Sequence, residues 1–176
     1  MRPENVARLK RIERISKVLR GICKGLLVLP VAGFVAVVWA MVLPRPGWTI
    51  GFWDAMFPVA DLTVGGKMFV GALSAVTFAI LFKGIYHLQL LLGDYSRGEI
   101  FTRDAAGQLR QWGICGALLG CMGILWAFVP RLVLAHSPDT IHAEGGAQIV
   151  HGLIIVAISW FMEMAAEMRE ENELTV

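Results

Sequence analysis

Four long apolar stretches dominate this 176-residue chain and leave few ways for it to fold. They cover about 25–43, 68–92, 112–134 and 149–166. A helical stretch of about 20 residues crosses a hydrocarbon core of about 30 Å, since each residue adds about 1.5 Å. Lipid offers no partner for backbone N–H and C=O groups, so spanning segments with these lengths are helices. We therefore predict an all-α integral membrane four-helix bundle, as a single domain over 1–176.

The composition supports a bilayer as the surrounding medium. Hydrophobic residues make up 56% of the chain, charged residues 17%, and the mean hydropathy is +0.62. A soluble domain carries about 25% charged residues, so this chain has more apolar sequence than one core needs. The charged stretch before the first apolar run extends to Lys24, and the run itself has full membrane length. Both features argue against a cleavable signal peptide.

The distribution of positive charge predicts the orientation. Of the 16 Lys and Arg residues, 13 lie before the first span, between the second and third spans, near the inner end of the second span, or in the tail after the fourth span. The other side has only Arg45, Lys67 and Arg131. Because Lys and Arg collect on the cytoplasmic side, we predict a multi-pass protein of the bacterial inner (plasma) membrane with both termini in the cytoplasm.

The loop after the first span is rich in aromatic residues. Trp48, Phe52 and Trp53 follow the first span closely, and such rings favour the headgroup region of a membrane. We expect segment 44–66 to lie on the outer membrane interface, with a short helix around Asp54–Ala60.

Two charged segments are predicted at the cytoplasmic side. Residues 3–22 form an amphipathic basic helix, and 167–176 continue the fourth span as an acidic helix. The apolar stripe of the first consists of Val6, Leu9, Ile12, Ile15, Leu19 and Ile22. This helix either lies on the anionic inner leaflet or docks a protein. We predict that it approaches the acidic tail, with two separately solvated helices as the alternative. The basic segment has no base-reading fold around it, so we predict no direct nucleic-acid binding.

A stripe of glycines runs along the third span. Gly113, Gly116, Gly120 and Gly123 recur every three or four residues and share one helix face. Small residues let membrane helices approach closely, so a partner helix is expected in this groove. The candidates are the second span, with Gly71, Ala75 and Ala79, or the third span of another copy in a homodimer.

Two ionisable residues fall inside predicted spans. Lys83 and Glu163 lie near the cytoplasmic ends of the second and fourth spans. Intramembrane charges are costly and are usually paired, so we predict an ion pair between them. Either this pair takes part in an ion or proton step, or it is structural and the side chains snorkel to the interface.

Histidines on the outer side are the only metal-ligand candidates. His136, His142 and His151 share that side with Asp139 and Glu144. Their spacing matches no metal motif, so we predict neither a metal nor a cofactor, with pH sensing as an alternative role. Signatures of hydrolases, zinc proteases and nucleotide-binding loops are missing from the sequence. We therefore predict that the protein is not an enzyme.

Two further stretches carry a family resemblance. The loop after the second span contains Tyr95, Gly98 and Phe101 in a Tyr-x-x-Gly-x-x-Phe pattern. The chain ends in Glu171, Asn172, Glu173, Leu174, Thr175 and Val176. Together they resemble the bacterial membrane-protein family called domain of unknown function 2975. The resemblance extends from the first span to the C-terminus. It implies no established activity, and it implies gene proximity to a small helix-turn-helix regulator.

The loop of this pattern can also be interpreted physically. Gly93 is expected to end the second span, and Gly98 permits a tight turn. Thr102 is expected to cap the third helix, with Asp104 in its first turn. Phe101 is then expected to turn back toward the bundle.

These observations favour a non-enzymatic sensor or regulatory partner in the membrane. It would dock a cytoplasmic protein, such as a helix-turn-helix transcription regulator, on its charged helices, internal loop and tail. One alternative is a bundle that binds or transports a lipid or a small apolar ligand, with Lys83 contacting an anionic headgroup. The other is a structural subunit of a larger membrane complex.

Overall fold

In the part of the chain that is described, the fold consists of five α-helices, one 3₁₀ turn and one short hairpin. The computed structural model describes residues 3–43, 45, 47–52, 55–133 and 145–174. In chain order the elements are α1 (Pro3–Leu26), α2 (Val28–Val42), β1 (Thr49–Phe52), β2 (Ala55–Pro58), α3 (Val64–Tyr95), α4 (Arg103–Val133) and α5 (Gly146–Leu174). Four helical segments in this part of the chain are long and apolar enough to cross a membrane: Arg14–Val42, Val64–Tyr95, Arg103–Pro130 and Gly146–Glu171. The prediction of four apolar helices with spanning length is confirmed.

Each helix packs on the next one in the chain. α1 and α2 both lie against α3, α3 lies against α4, and α4 lies against α5. The contacts are antiparallel: Arg20 of α1 meets Gly93 of α3, and Glu167 of α5 meets Arg103 of α4. Consequently α1, the end of α5 and the loop 96–102 lie at one end of the molecule, called the loop end. The β-hairpin lies at the opposite end, called the hairpin end.

A break at Leu27 separates α1 from α2. Leu27 keeps a helical backbone, with φ −62° and ψ −22°, and its N–H donates to the Cys23 carbonyl at 3.1 Å. Pro30 lies three residues further on, where it offers no N–H to the Leu26 carbonyl and its ring crowds that group. Pro30 therefore accounts for a break one turn before it, at the junction of α1 and α2.

The face of α1 that packs on α3 differs from the predicted apolar stripe. Ser16 and Cys23 are 4% and 5% exposed, and Arg20 between them is half-buried. Ile15, Leu19 and Ile22 of the predicted stripe are instead exposed. α1 therefore turns a narrow polar face to the protein and an apolar face outward, as a helix does at the edge of a bilayer. Side chains before Arg14 lie outside the description.

The hairpin corrects the prediction for the loop after the first span. Residues 49–52 and 55–58 pair as antiparallel strands, with Ile50 opposite Phe57, and 59–61 form one 3₁₀ turn. The predicted short helix around Asp54–Ala60 is therefore wrong, and the fold contains a small sheet besides its helices. The alternation explains the strands, since Ile50 and Phe52 share one face and pack inward. Pro58 favours an extended backbone, which it has at φ −69° and ψ 115°.

Aromatic packing joins the hairpin to the centre of α4. Trp126 is fully buried, and its Nε1 donates to Thr77 Oγ1 at 3.0 Å. The ring of Phe52 stacks on Trp126 with centroids 4.4 Å apart, and Phe78 meets Phe52 edge-on at 5.4 Å. Such pairs stabilise by about 0.5–1.5 kcal/mol beyond the area that they bury. Phe52 therefore closes the hairpin end of the space between α3 and α4.

The glycines of α4 lie against α5. An added Cβ at Gly120 would come within 2.7 Å of the Gly145 carbonyl oxygen, and one at Gly113 within 2.9 Å of the Gly152 oxygen. Gly116 lies opposite the Gly152 Cα, and Gly123 is buried. The structure thus places the fourth span, rather than the second, in this groove. Gly145 and Gly152 supply the matching small residues on α5, a pair that the sequence analysis did not single out.

Neighbouring glycines at the start of α5 provide a test of this seam. A methyl group at Gly145 would collide with backbone atoms of Gly120, whereas one at Gly146 would meet nothing within 4 Å. We expect Gly145→Ala to lower the free energy of unfolding by about 1–3 kcal/mol through overpacking, and Gly146→Ala to leave it nearly unchanged. Thermal unfolding in detergent, followed by size-exclusion chromatography, measures both. Equal stability of the two variants would contradict this packing.

Candidate functional site

The loop end begins where Gly98 terminates α3. The N–H of Glu99 donates to the Asp94 carbonyl at 3.1 Å, and the N–H of Gly98 donates to the Tyr95 carbonyl at 3.1 Å. These are the two bonds of a Schellman motif, with Gly98 in the left-handed region at φ +80°. The prediction that Gly93 ends the second span is wrong, because α3 continues to Tyr95. Gly93 instead provides space for Arg20 of α1.

A compact set of polar contacts holds this turn. Arg97 pairs with Asp94, its neighbour on the last turn of α3, and with Glu99 at 3.3 Å. The Ser96 hydroxyl donates to the Gly93 carbonyl at 2.7 Å. The Asp94 carboxylate is thus already paired within its own loop.

The next turn caps α4 and turns Phe101 outward. The N–H of Ala105 donates to Thr102 Oγ1 at 3.2 Å, which is the expected N-cap of α4. Ala105 and Ala106 are 0% and 2% exposed, and this first turn of α4 presents them to the neighbouring helices. Phe101, just before this turn, is 52% exposed. The expectation that Phe101 turns back toward the bundle is wrong.

Ion pairs hold the extended end of α5 against α4. Arg110 lies 3.4 Å from Glu163, and Arg103 lies 3.6 Å from Glu167 and 3.3 Å from Glu170. All these side chains are 40% to 58% exposed, so each pair stabilises by about 0–1 kcal/mol. Together they set the direction in which α5 leaves the apolar region.

The predicted pair between Lys83 and Glu163 is not formed. Both residues are described, and Glu163 pairs with Arg110 while Lys83 is exposed on α3. The physical reason is the order of the helices: α5 packs beside α4, so its carboxylates reach arginines of α4 first. Lys83 lies on α3, whereas α5 packs mainly on α4.

The predicted approach of the basic N-terminal helix to the acidic tail stays a prediction. The tail carboxylates with a described ion pair use Arg103 and Arg110 of α4. Side chains of residues 1–13 and 172–176 lie outside the description. Of the family tail, Glu171 is described and exposed, Asn172, Glu173 and Leu174 are described as helix only, and Thr175 and Val176 fall outside the described residues.

The histidines form no metal site in the part of the chain that is described. His136 and His142 lie outside the described residues. His151 is exposed, and its Nδ1 lies 2.7 Å from the Ala147 carbonyl, one helical turn before it. Groups of three or more metal-ligating side chains are absent from the described ranges.

Two polar contacts join α3 to its neighbours. His87 Nδ1 lies 2.6 Å from Gln108 Oε1, so it joins α3 to α4. Tyr95 of α3 donates weakly to the sulfur of Met162 on α5 at 3.9 Å.

An apolar cavity opens between α2 and α3. Its volume is about 390 Å³. The lining residues are Pro30, Val31, Phe34, Ala75, Phe78, Ala79 and Phe82. Val31 and Phe82 are partly exposed, at 53% and 41%, so the cavity opens to the medium around the helices. Its lining could hold a hydrocarbon chain and offers no polar group to a charged ligand.

Sequence reasoning missed Arg20, Gln89 and Arg110 as residues of interest. Arg20 was one of eight cations before the first span, and nothing local marked it as the one that packs between helices. A signal existed in Gly93, whose lack of a side chain in an apolar helix predicts close approach by another group.

Comparison with known proteins places the chain in one family. Residues 26–176 match the family described as "Protein of unknown function (DUF2975)". No curated protein and no solved structure matches the chain significantly. The match begins at Leu26, the last residue of α1, so the basic helix precedes the shared region.

A double-mutant cycle tests which cation pairs with Glu163. We expect Arg110→Gln and Glu163→Gln to show a coupling energy of about 0.2–1 kcal/mol in thermal unfolding, because each removes the same pair. Lys83→Gln combined with Glu163→Gln is the control, and we expect its effects to add. Coupling confined to the Lys83 cycle would contradict the observed geometry.

Proposed function

Since the chain belongs to the DUF2975 family, whose members have no established activity, we propose a function from the arrangement of its own residues. The protein is a non-enzymatic regulatory component of a bacterial inner membrane, with both termini in the cytoplasm. Its loop end docks a cytoplasmic protein. The observation that carries this proposal is Phe101, a half-exposed aromatic side chain on a firmly held loop.

The orientation rests on the charge distribution. Of the 16 Lys and Arg residues, 13 lie before the first span, between the second and third spans, near the inner end of the second span, or in the tail after the fourth span. Positive charge is retained on the cytoplasmic side of membrane proteins. The loop end is therefore the end that a cytoplasmic partner can reach.

The loop around Phe101 is built to present a side chain. The Schellman motif at Gly98 fixes the backbone before it, and the Thr102 cap fixes the backbone after it. An aromatic side chain held in this way loses little conformational freedom on binding, which is the usual property of an interface hot spot.

The tail supplies charge beside this loop. Glu167 and Glu170 pair with Arg103, two residues after Phe101, yet they keep 51% and 58% of their side-chain surface exposed. A partner with an apolar pocket and a basic rim would fit this combination. A helix-turn-helix regulator, which the family resemblance implies, carries such a basic surface for DNA.

A two-hybrid assay in bacteria tests this proposal. The bait is the full chain, and the prey is the helix-turn-helix protein encoded nearest to its gene. We expect Phe101→Ser to weaken the interaction by about 30-fold, the effect of losing a hot spot worth about 2 kcal/mol. A chain ending at Glu170 should also give a weaker signal, because tail carboxylates attract the partner.

The control is Phe69→Ser, which removes an aromatic side chain with 46% exposure near the other end of α3. It should leave the interaction unchanged while membrane levels of all variants stay equal. An unaltered signal with both Phe101→Ser and the shortened chain would overturn the proposal.

A further inference from the structure

Arg20 lies between two helices, and no acidic side chain among the described residues pairs with it. It lies on the narrow face of α1 that packs on α3, between the buried Ser16 and Cys23. Its guanidinium covers Gly93, with Cζ 3.2 Å from the position that a Cβ there would take. A side chain at position 93 would push the guanidinium aside. Gly93 thus leaves a space on α3, called the seat of Arg20, for this side chain.

Within the described part of the protein, the charge of Arg20 has no counter-ion. The nearest carboxylate along α3, Asp94, pairs with Arg97. Arg20 Nε is buried and has no hydrogen-bond partner among the described residues, and the same holds for Gln89 Oε1. Gln89 and Gly93 are four residues apart, so they share one face of α3. A half-buried cation without a counter-ion is costly, which points to an anion from outside the chain.

The depth of Arg20 identifies the layer from which this anion comes. Arg20 lies five residues before Gly25, where the uncharged run begins. Five helical residues span about 7 Å, the thickness of one headgroup layer. Lys17 and Lys24 lie one turn away on either side, are exposed, and have no described ion pair. The phosphates of membrane lipids occur at this depth.

The apolar cavity lies below Arg20 in the same groove. It starts at Pro30 of α2, ten residues after Arg20, and at Phe82 of α3, eleven residues before Gly93. Ten helical residues span about 15 Å, which is the reach of one leaflet in a core of about 30 Å. A lipid with its headgroup at Arg20 could therefore place an acyl chain between Phe34 and Phe78.

We propose that the groove between α1–α2 and α3 binds one phospholipid with a net negative charge, such as phosphatidylglycerol. The phosphate accepts hydrogen bonds from the Arg20 guanidinium. One acyl chain fills the cavity beside Phe34 and Phe78. This lipid site is separate from the docking loop at Phe101, so either proposal can fail without the other.

Native mass spectrometry of the full chain, released from detergent, tests the site. The probes are phosphatidylglycerol and phosphatidylcholine with identical acyl chains. We expect one phosphatidylglycerol to be retained about tenfold more strongly than phosphatidylcholine. Both lipids offer a phosphate to Arg20, but only phosphatidylcholine also brings a cationic choline group beside Arg20, Lys17 and Lys24. Arg20→Gln should abolish this preference. Lys24→Gln is the matched control, which removes a neighbouring exposed charge and should retain most of it.

Two further variants separate the headgroup from the chain. Gly93→Leu keeps every charge but fills the seat of Arg20, so it should reduce the preference as Arg20→Gln does. Ala75→Leu fills the cavity and should weaken both lipids alike. Inorganic phosphate at millimolar concentration should not displace the lipid, because it has no acyl chain. Equal retention by Arg20→Gln and Lys24→Gln, or equal binding of the two lipids, would overturn the proposal.

Discussion

The absence of a hydrophobic driving force between helices in lipid is the constraint on which this structure depends. Helices that are apolar on every side gain from association only where their backbones come close. The seam of α4 and α5 meets this condition through facing glycines, among them Gly120 and Gly145. α4 is also the most enclosed span. In its most apolar stretch 39% of the residues are buried inside the protein, against 11% for the first span. The array therefore forms around α4, and α2 lies at its edge.

The two ends of the array are closed by different interactions. At the hairpin end, Phe52 and Trp126 stack in a dry environment, and the indole N–H is satisfied by Thr77. At the loop end, exposed ion pairs join α5 to α4, and these depend on water and salt. A change in ionic conditions therefore acts on these contacts of the loop end, which is where Phe101 lies.

Features that depend on neighbouring residues in the chain could be predicted from the sequence. The four apolar helices and the Thr102 cap follow from local composition and backbone chemistry, and the family follows from short motifs. Features that depend on which helix lies beside which could not. The prediction of a Lys83–Glu163 pair assumed that the second and fourth spans pack mainly on each other, but α3 and α5 each pack mainly on α4, and Glu163 pairs with Arg110. The exposure of the Phe101 side chain likewise depends on tertiary packing, which the local sequence does not specify.

The contact between α1 and α3 also bears on how the protein is made. Gly93 follows Arg20 by more than seventy residues, so the seat of Arg20 does not exist when α1 leaves the ribosome. At about 5–20 residues per second, synthesis reaches α3 several seconds later. During that interval the first span has to insert without its partner, guided by its own cations. The same side chains thus direct insertion first and join the finished assembly only afterwards.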